Sequence, residues 1–488
     1  MRLIARDLAD KALALVLGLF LLLALFRGGN TDLAMTFALM GAIILLLLFV
    51  VQAVLALPTV PRPTAPAGTF IAALFLLLVF GAVSLISVDS ATWLRLPGRD
   101  AYAEVAGLLA GPEFSVKTLS LSIDPFGTTR ALLALAPCIA IAIASITLSR
   151  NSLLRVLGVF MLMATFEALI GLFQLGFRGA SSVFLLDYAG HSRASGTFVN
   201  KNHYATLLAM SLPLLIFRAA GQFSLFSNRS VTGSLSNVWW GIAAAFVAAA
   251  LIASLSRAGV LAGGIAAALA IGLCVTQQRS RSRKALAVAL VIAALAISLA
   301  AITGLGQLIR SVSGGALDGG VSSRWLMNTH TWEGITTFFP LGAGLGSYSI
   351  AFQRFQTPQL LGFVEYAHND YLQLLFETGA VGVIVLLLLA LSAALAARTF
   401  WVARSKEQKL SPALACYLGA LAFAIHAWFD FPSHIPAIAV VATLLFSASM
   451  NANLPGLARR IVSNPVDAPL LRVARPHPQA NPTSASTT

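Results

Sequence analysis

Charge is scarce in this sequence. Only 10% of its 488 residues are Asp, Glu, Lys or Arg, against roughly 25% in an ordinary soluble chain. A large water-facing surface is thereby excluded for most of its length. Cysteine is scarcer still. Cys138, Cys274 and Cys416 all lie in or beside apolar runs, and none stands in a CxxC spacing. A disulfide framework and a zinc knuckle are both excluded. No GxxxxGK[ST] occurs, and no GxGxxG follows a strand pattern, so no motif serves ATP-driven pumping by this chain alone. The opening MRLIARDLADK leads into an apolar run with no small-residue cleavage site and mature soluble domain behind it. It reads as an uncleaved first span.

What fills the space is apolar. Hydrophobic residues make up 58% of the chain, and the mean hydropathy is +0.85. A helix crosses the bilayer core with about 20 apolar residues. Runs of that kind predict an all-α membrane protein with about twelve transmembrane helices, near 9–26, 33–57, 68–88, 131–149, 153–176, 202–217, 238–254, 258–276, 285–303, 379–397, 411–429 and 435–450. The net charge of +14 suggests nucleic acid only until its distribution is examined. Basic clusters such as Arg279, Arg281, Arg283 and Lys284, or Arg398, Arg404, Lys406 and Lys409, fall in alternate loops. The positive-inside rule then puts both termini in the cytoplasm of an inner-membrane protein. Two long segments, 89–130 and 304–378, fall outside, the second forming a large periplasmic loop before span ten. Residues 1–450 read as one polytopic membrane domain. Residues 451–488, rich in Pro, Ala, Ser and Thr, read as a disordered cytoplasmic tail.

Four external segments carry costly polar residues: HSRASGTFVNKNHYA (191–205), SLSRAG (254–259), SSRWLMNTHTWEG (322–334) and EYAHND (365–370). Arg257 is the most informative, because topology gives no reason for an arginine there. A lone arginine at an interface ordinarily snorkels to headgroups. Arg193 and Arg324 share its side of the membrane, as does His368. Together they suit an anionic ligand, since guanidinium donates two parallel hydrogen bonds to phosphate oxygens. His368 is a natural general base near neutral pH, with Glu365 available to hold its other nitrogen. Asn369 or Asp370 equally suits a helix cap. PLGAGLGSY (340–348) fits an anion nest or, more commonly, a plain turn. Glu167 inside the fifth span, with Gln174 two turns on, is either functional or a hydrogen-bonded structural carboxylate. His426, Asp430 and His434 have metal-like spacing, but Pro432 interrupts it and no fourth ligand follows, which favours a helix-turn role over metal.

In order along the chain, these pieces resemble the O-antigen ligase and polymerase superfamily of bacterial envelope glycosyltransferases. The matching pieces are Arg193 through Asn202-His203-Tyr204, Ser254-x-Ser256-Arg257 and Arg324-x-x-x-x-Asn328. Pro340-Leu341-Gly342-x-Gly344-x-Gly346 follows, then His368-Asn369-Asp370-Tyr371 with Glu377-x-Gly379. The resemblance covers about residues 160–450. It implies transfer of a glycan from an undecaprenyl-diphosphate carrier to an acceptor sugar, either a lipid A core or a growing lipopolysaccharide or exopolysaccharide chain. Arg193 and Arg257 then look like the diphosphate-binding arginines, Arg324 like a third basic contact, and His368 like the histidine that assists the acceptor hydroxyl. Asn202, His203, Asn369 and Glu365 stand beside them as substrate-binding candidates. No metal, nucleotide or other cofactor is implied, and no nucleic acid partner. The competing reading is a transporter of a small anion or solute. Carriers usually place their sites near the bilayer midplane, whereas these polar residues gather at one end.

Overall fold

The structure, a computed structural model, describes residues 2–25, 32–56, 63–102, 118–176, 193–225, 233–277, 317–404 and 410–454. Its long helices follow the hydropathy closely. They are α1 (Arg2–Leu25), α2 (Asp32–Ala56) and α3 (Ala65–Ser84). Two short strands come next, β1 (Ser87–Asp89) and β2 (Thr118–Ser120), paired antiparallel with Val88 opposite Leu119. This pair is a small addition to the all-α expectation. Then follow α4 (Pro125–Thr147), α5 (Arg150–Gly176), α6 (Lys201–Ala219), α7 (Gly233–Ala253), α8 (Arg257–Gln277), α9 (Leu317–Phe338), α10 (Asp370–Arg404), α11 (Pro412–His426) and α12 (Pro436–Ser449). By length and composition, α3, α4, α5, α7, α8 and α10 suffice to cross a membrane. The predicted spans 9–26, 33–57, 202–217, 411–429 and 435–450 fall on α1, α2, α6, α11 and α12. The span predicted at 285–303 and nearly all of the tail lie outside the described residues.

Helix α6 is the buried axis of the bundle and packs against α7, α8 and α11. Nearly every residue from His203 to Phe217 is buried, including Pro213. Close approach to α8 depends on small residues, as in many membrane helix pairs. A Cβ on Gly259 would meet Ala205, and one on Gly263 would meet Ala209 and Leu251. This contact sets the N-termini of α6 and α8 side by side at one end of the bundle.

The two long segments between the apolar runs, 89–130 and 304–378, pack a core of their own in their described parts, although no globular unit is legible in their sequence. Phe338, Tyr348, Phe352, Phe355 and Phe376 form it, joined by Tyr102 and Ile123 from the first of these segments. Arg99 staples the two segments together. It is 2% exposed, lies between the Trp93 and Phe338 rings, and donates to the Leu121 and Gly342 carbonyls at 2.9 and 3.2 Å. Burial pulls its guanidinium down to about 10, so it stays charged at neutral pH.

The predicted start of span ten, residue 379, coincides with a break in α10. Gly379 there has φ 55° and ψ −127°, a left-handed φ that a side chain resists. A Cβ would also strike the Pro340 carbonyl, which accepts from Ala380 N–H at 2.8 Å. The break separates a short helix, 370–378, from the apolar run that follows.

Candidate active site

Residues of the four polar segments meet Asp430 at one end of the bundle. The 193–200 loop is held from below by α5. Thr197 donates to Glu167 through its N–H and its hydroxyl, both at 2.8 Å. Gln174 donates to the Gly196 carbonyl at 2.7 Å and accepts from its N–H at 3.1 Å. Glu167 is therefore a structural carboxylate that shapes the loop carrying Arg193. Ala194 N–H bonds the Ala253 carbonyl at 3.0 Å, which brings Arg193 to the turn between α7 and α8.

That turn explains the Ser-x-Ser-Arg spacing. Ser256 is the N-cap of α8, accepting from Gly259 N–H at 3.3 Å, and Ser254 accepts from Ser256 N–H at 3.2 Å. Between them Leu255 takes φ 55°, a strained choice for a branched residue. Its carbonyl is turned to accept from Lys201 Nζ at 2.9 Å. Arg257 and Lys201 thus occupy the first position of two adjacent helices, where a cation opposes the helix dipole. An anion placed there gains from both the dipole and the cations. Lys201 stands just ahead of the predicted span 202–217. Burial, followed by the charges of Arg193, Arg257 and Arg324, brings its ammonium down to about 8. Each of these three arginines thus lies near enough to Lys201 for its charge to act on the ammonium. Lys201 was not among the residues the sequence singled out, although it lies inside one of the segments that did stand out.

Facing the cations is a histidine–aspartate pair. His368 sits at φ 52°, and its Nδ1 is 3.1 Å from Asp430 Oδ1. Asp430 is 1% exposed and also accepts from Phe431 N–H at 3.0 Å. Arg324 Nη2 stands 4.0 Å from its other oxygen. Burial pushes the Asp430 carboxyl up. The hydrogen bond from His368 and the charges of His368, His203 and Arg324 outweigh it and hold the group below the ordinary carboxylate range. An ionised Asp430 selects the Nδ1–H tautomer of His368 and leaves Nε2 with a free lone pair.

Several expectations change here. The partner of His368 is Asp430; Glu365 is exposed and makes no contact with the imidazole. Asn369 is a cap, its Oδ1 accepting from Tyr371 and Leu372 N–H at 3.1 Å each. His203 is 3% exposed, its ring edge-on to Phe431 at 5.0 Å. Asn202 lies half-buried in the first turn of α6. The metal-like trio disperses. His426 Nδ1 meets Thr206 Oγ at 2.8 Å, Asp430 meets His368, and His434 Nδ1 meets Asp370 at 3.0 Å. Among the described residues no three His, Cys, Asp or Glu side chains are placed to hold a metal ion. The Gly-rich run is a turn tied to α10 within the chain: Gly346 N–H donates to Glu377 Oε2 at 2.7 Å.

No curated protein matches the chain. A family model described as O-antigen ligase matches residues 242–387, a stretch that includes Arg257, Arg324 and His368 and stops short of Asp430. Over this region the chain is similar to the O-antigen ligase family, in line with the motifs read from its sequence.

Proposed function

We propose that the protein is a membrane glycosyltransferase that moves a glycan from a lipid-diphosphate carrier to an acceptor sugar hydroxyl on the periplasmic side. What supports this reading is that the charges of Arg193, Arg257 and Arg324 act on Lys201, while Asp430, paired with His368, lies 4.0 Å from Arg324. The leaving group is a diphosphate, and the cations offset the charge it develops as the glycosidic bond breaks. His368 Nε2 takes the proton of the acceptor hydroxyl as that oxygen bonds the anomeric carbon. One displacement inverts that carbon and needs neither a covalent intermediate nor a carboxylate pair. Undecaprenyl diphosphate is the carrier that the family resemblance implies, and a lipid A core or a growing glycan is the acceptor.

The test is the size of carrier-linked glycans in cells lacking the protein. Long polymer accumulating on the carrier and missing from the surface identifies a ligase. Single repeats accumulating identify a polymerase. Unchanged carrier-linked glycans would overturn the enzyme reading and turn attention to transport.

Lys201 gives the site a pH signature. Its ammonium is depressed to about 8, so the charge is present below that pH and lost above it. The kcat/KM for the lipid-linked donor, which reports the free enzyme, is expected to fall as pH rises through about 8. Lys201→Arg keeps the charge at all accessible pH and is expected to move that fall upward. An alkaline limb that does not move with this substitution would remove Lys201 from donor binding.

A further inference from the structure

His368 holds a left-handed backbone, and such a conformation persists only where its surroundings determine it from several sides. Asn369 caps the helix after it, and Asp430 holds its side chain. The backbone before it is fixed by Gln373, which is 2% exposed. Gln373 Oε1 accepts from Ala367 N–H at 3.0 Å. A backbone N–H accepts nothing, so the orientation of the amide is decided: its oxygen faces Ala367 and its nitrogen faces the other way. That nitrogen donates to Glu377 Oε1 at 3.0 Å and to His434 Nε2 at 2.9 Å. His434 Nε2 is therefore the acceptor, and its Nδ1–H donates to Asp370. Asp370 in turn accepts from Ser433 N–H at 2.9 Å. The other oxygen of Glu377 holds Gly346 in the Gly-rich turn.

One buried amide thus joins three pieces of chain: the residue before His368, the 432–434 turn that follows Asp430, and the Gly-rich turn that abuts the Gly379 break. We infer that Gln373 is a positioning residue, which sets the His368–Asp430 pair against the cation cluster by fixing both strands of chain that carry it. The inference rests on the reading of His368 as the base. Gln373 touches neither the donor nor the acceptor. Its loss misplaces the base while the cations, which stand on α6, α8, α9 and the 193–200 loop, remain where they are. A misplacement on the order of 1 Å costs about a hundredfold in rate.

The test uses the full-length protein in membranes with Gln373→Leu and Gln373→Glu. Leucine removes every bond. Glutamate keeps the shape and the acceptor for Ala367 while losing both donations. Both variants are expected to lower kcat by about tenfold to a hundredfold, leucine more than glutamate, with the donor KM unchanged. Combining either with His368→Ala is expected to add little to the loss from His368→Ala alone, because the two residues act through one group. Amide hydrogen exchange of residues 365–372 is expected to rise in Gln373→Leu without a matching rise in α6 or α8. Exchange needs no turnover, so it tests the positioning even if His368→Ala leaves transfer unchanged and the functional reading falls. Unchanged exchange together with unchanged kcat would overturn the proposal. So would failure of both variants to accumulate in the membrane, which would assign Gln373 to folding.

Discussion

Replacing Arg257 by alanine is expected to abolish glycan transfer while the protein still inserts and accumulates. The expected loss is at least about a hundredfold, the scale on which removal of one charge-stabilising donor acts. The cap on α8 is Ser256, not Arg257, and it stays in place. Arg257 is exposed, at a helix N-terminus where its charge opposes the dipole. Helix stability should therefore not suffer from its removal. An arginine that capping of α8 does not need, near Lys201, fits the diphosphate of the proposed donor. Arg257→Lys is expected to recover part of the activity, because lysine supplies the charge but not the planar two-hydrogen fork. The measurement is transfer from a lipid-linked donor in membranes matched for protein amount. Undiminished transfer by a well-accumulated Arg257→Ala variant would remove the arginine from the site.

Asp430→Asn is expected to lower kcat by about a hundredfold to ten-thousandfold, the range of a general base and its orienting partner. The asparagine carries no charge to stabilise the imidazolium. Its amide nitrogen also donates, which favours a bare Nδ1 and places the proton on Nε2, the atom that must receive one. His368→Ala is expected to cost as much, and the double variant no more, since the two side chains work as a unit. The donor KM should hold in all three, because the cations are unchanged. A depressed carboxylate also has a consequence for stability. The contribution of Asp430 is fully present above the unfolded carboxylate value of roughly 3.9 and is lost as pH falls through its lower folded value. Acid unfolding of Asp430→Asn should accordingly begin from a lower stability and show a shallower dependence on acid. An Asp430→Asn enzyme with wild-type kcat would assign the buried aspartate to structure alone.

The contrast between these two residues shows what a single sequence displays. Arg257 was conspicuous because it stands between two apolar runs without a topological reason, and the structure finds it exposed at the foot of α8. Asp430 was noticed only for its spacing from His426 and His434, which pointed to a metal. Its actual partner is 62 residues upstream. Glu365, three residues from His368, was the nearer carboxylate, but the chain turns it outward. Gln373 and Glu377 lie one turn apart on the same face at the start of α10, and Gln373 by itself looks like an ordinary helix residue. Only the packing of the 432–434 turn and the Gly-rich turn against them makes their hydrogen bonds specific.

The sequence by itself determined the membrane class, the course of most long apolar helices, and Asn369 as one of two candidate caps. Each of these follows from local properties: apolar run length, loop charge, and a side chain reaching its own neighbouring N–H groups. Only the tertiary structure decided which groups meet. The Gly259 and Gly263 contact with Ala205 and Ala209 sets Lys201 beside Arg257. The Gly379 break folds the His368 helix onto the Gly-rich turn, and the return of the chain after α11 brings Asp430 under His368. Those pairings depend on distances between elements far apart along the chain, and hydrogen bonds and charge interactions fall off within a few ångströms. Local pattern carries no such distance, so partners of this kind become visible only once the helices are packed.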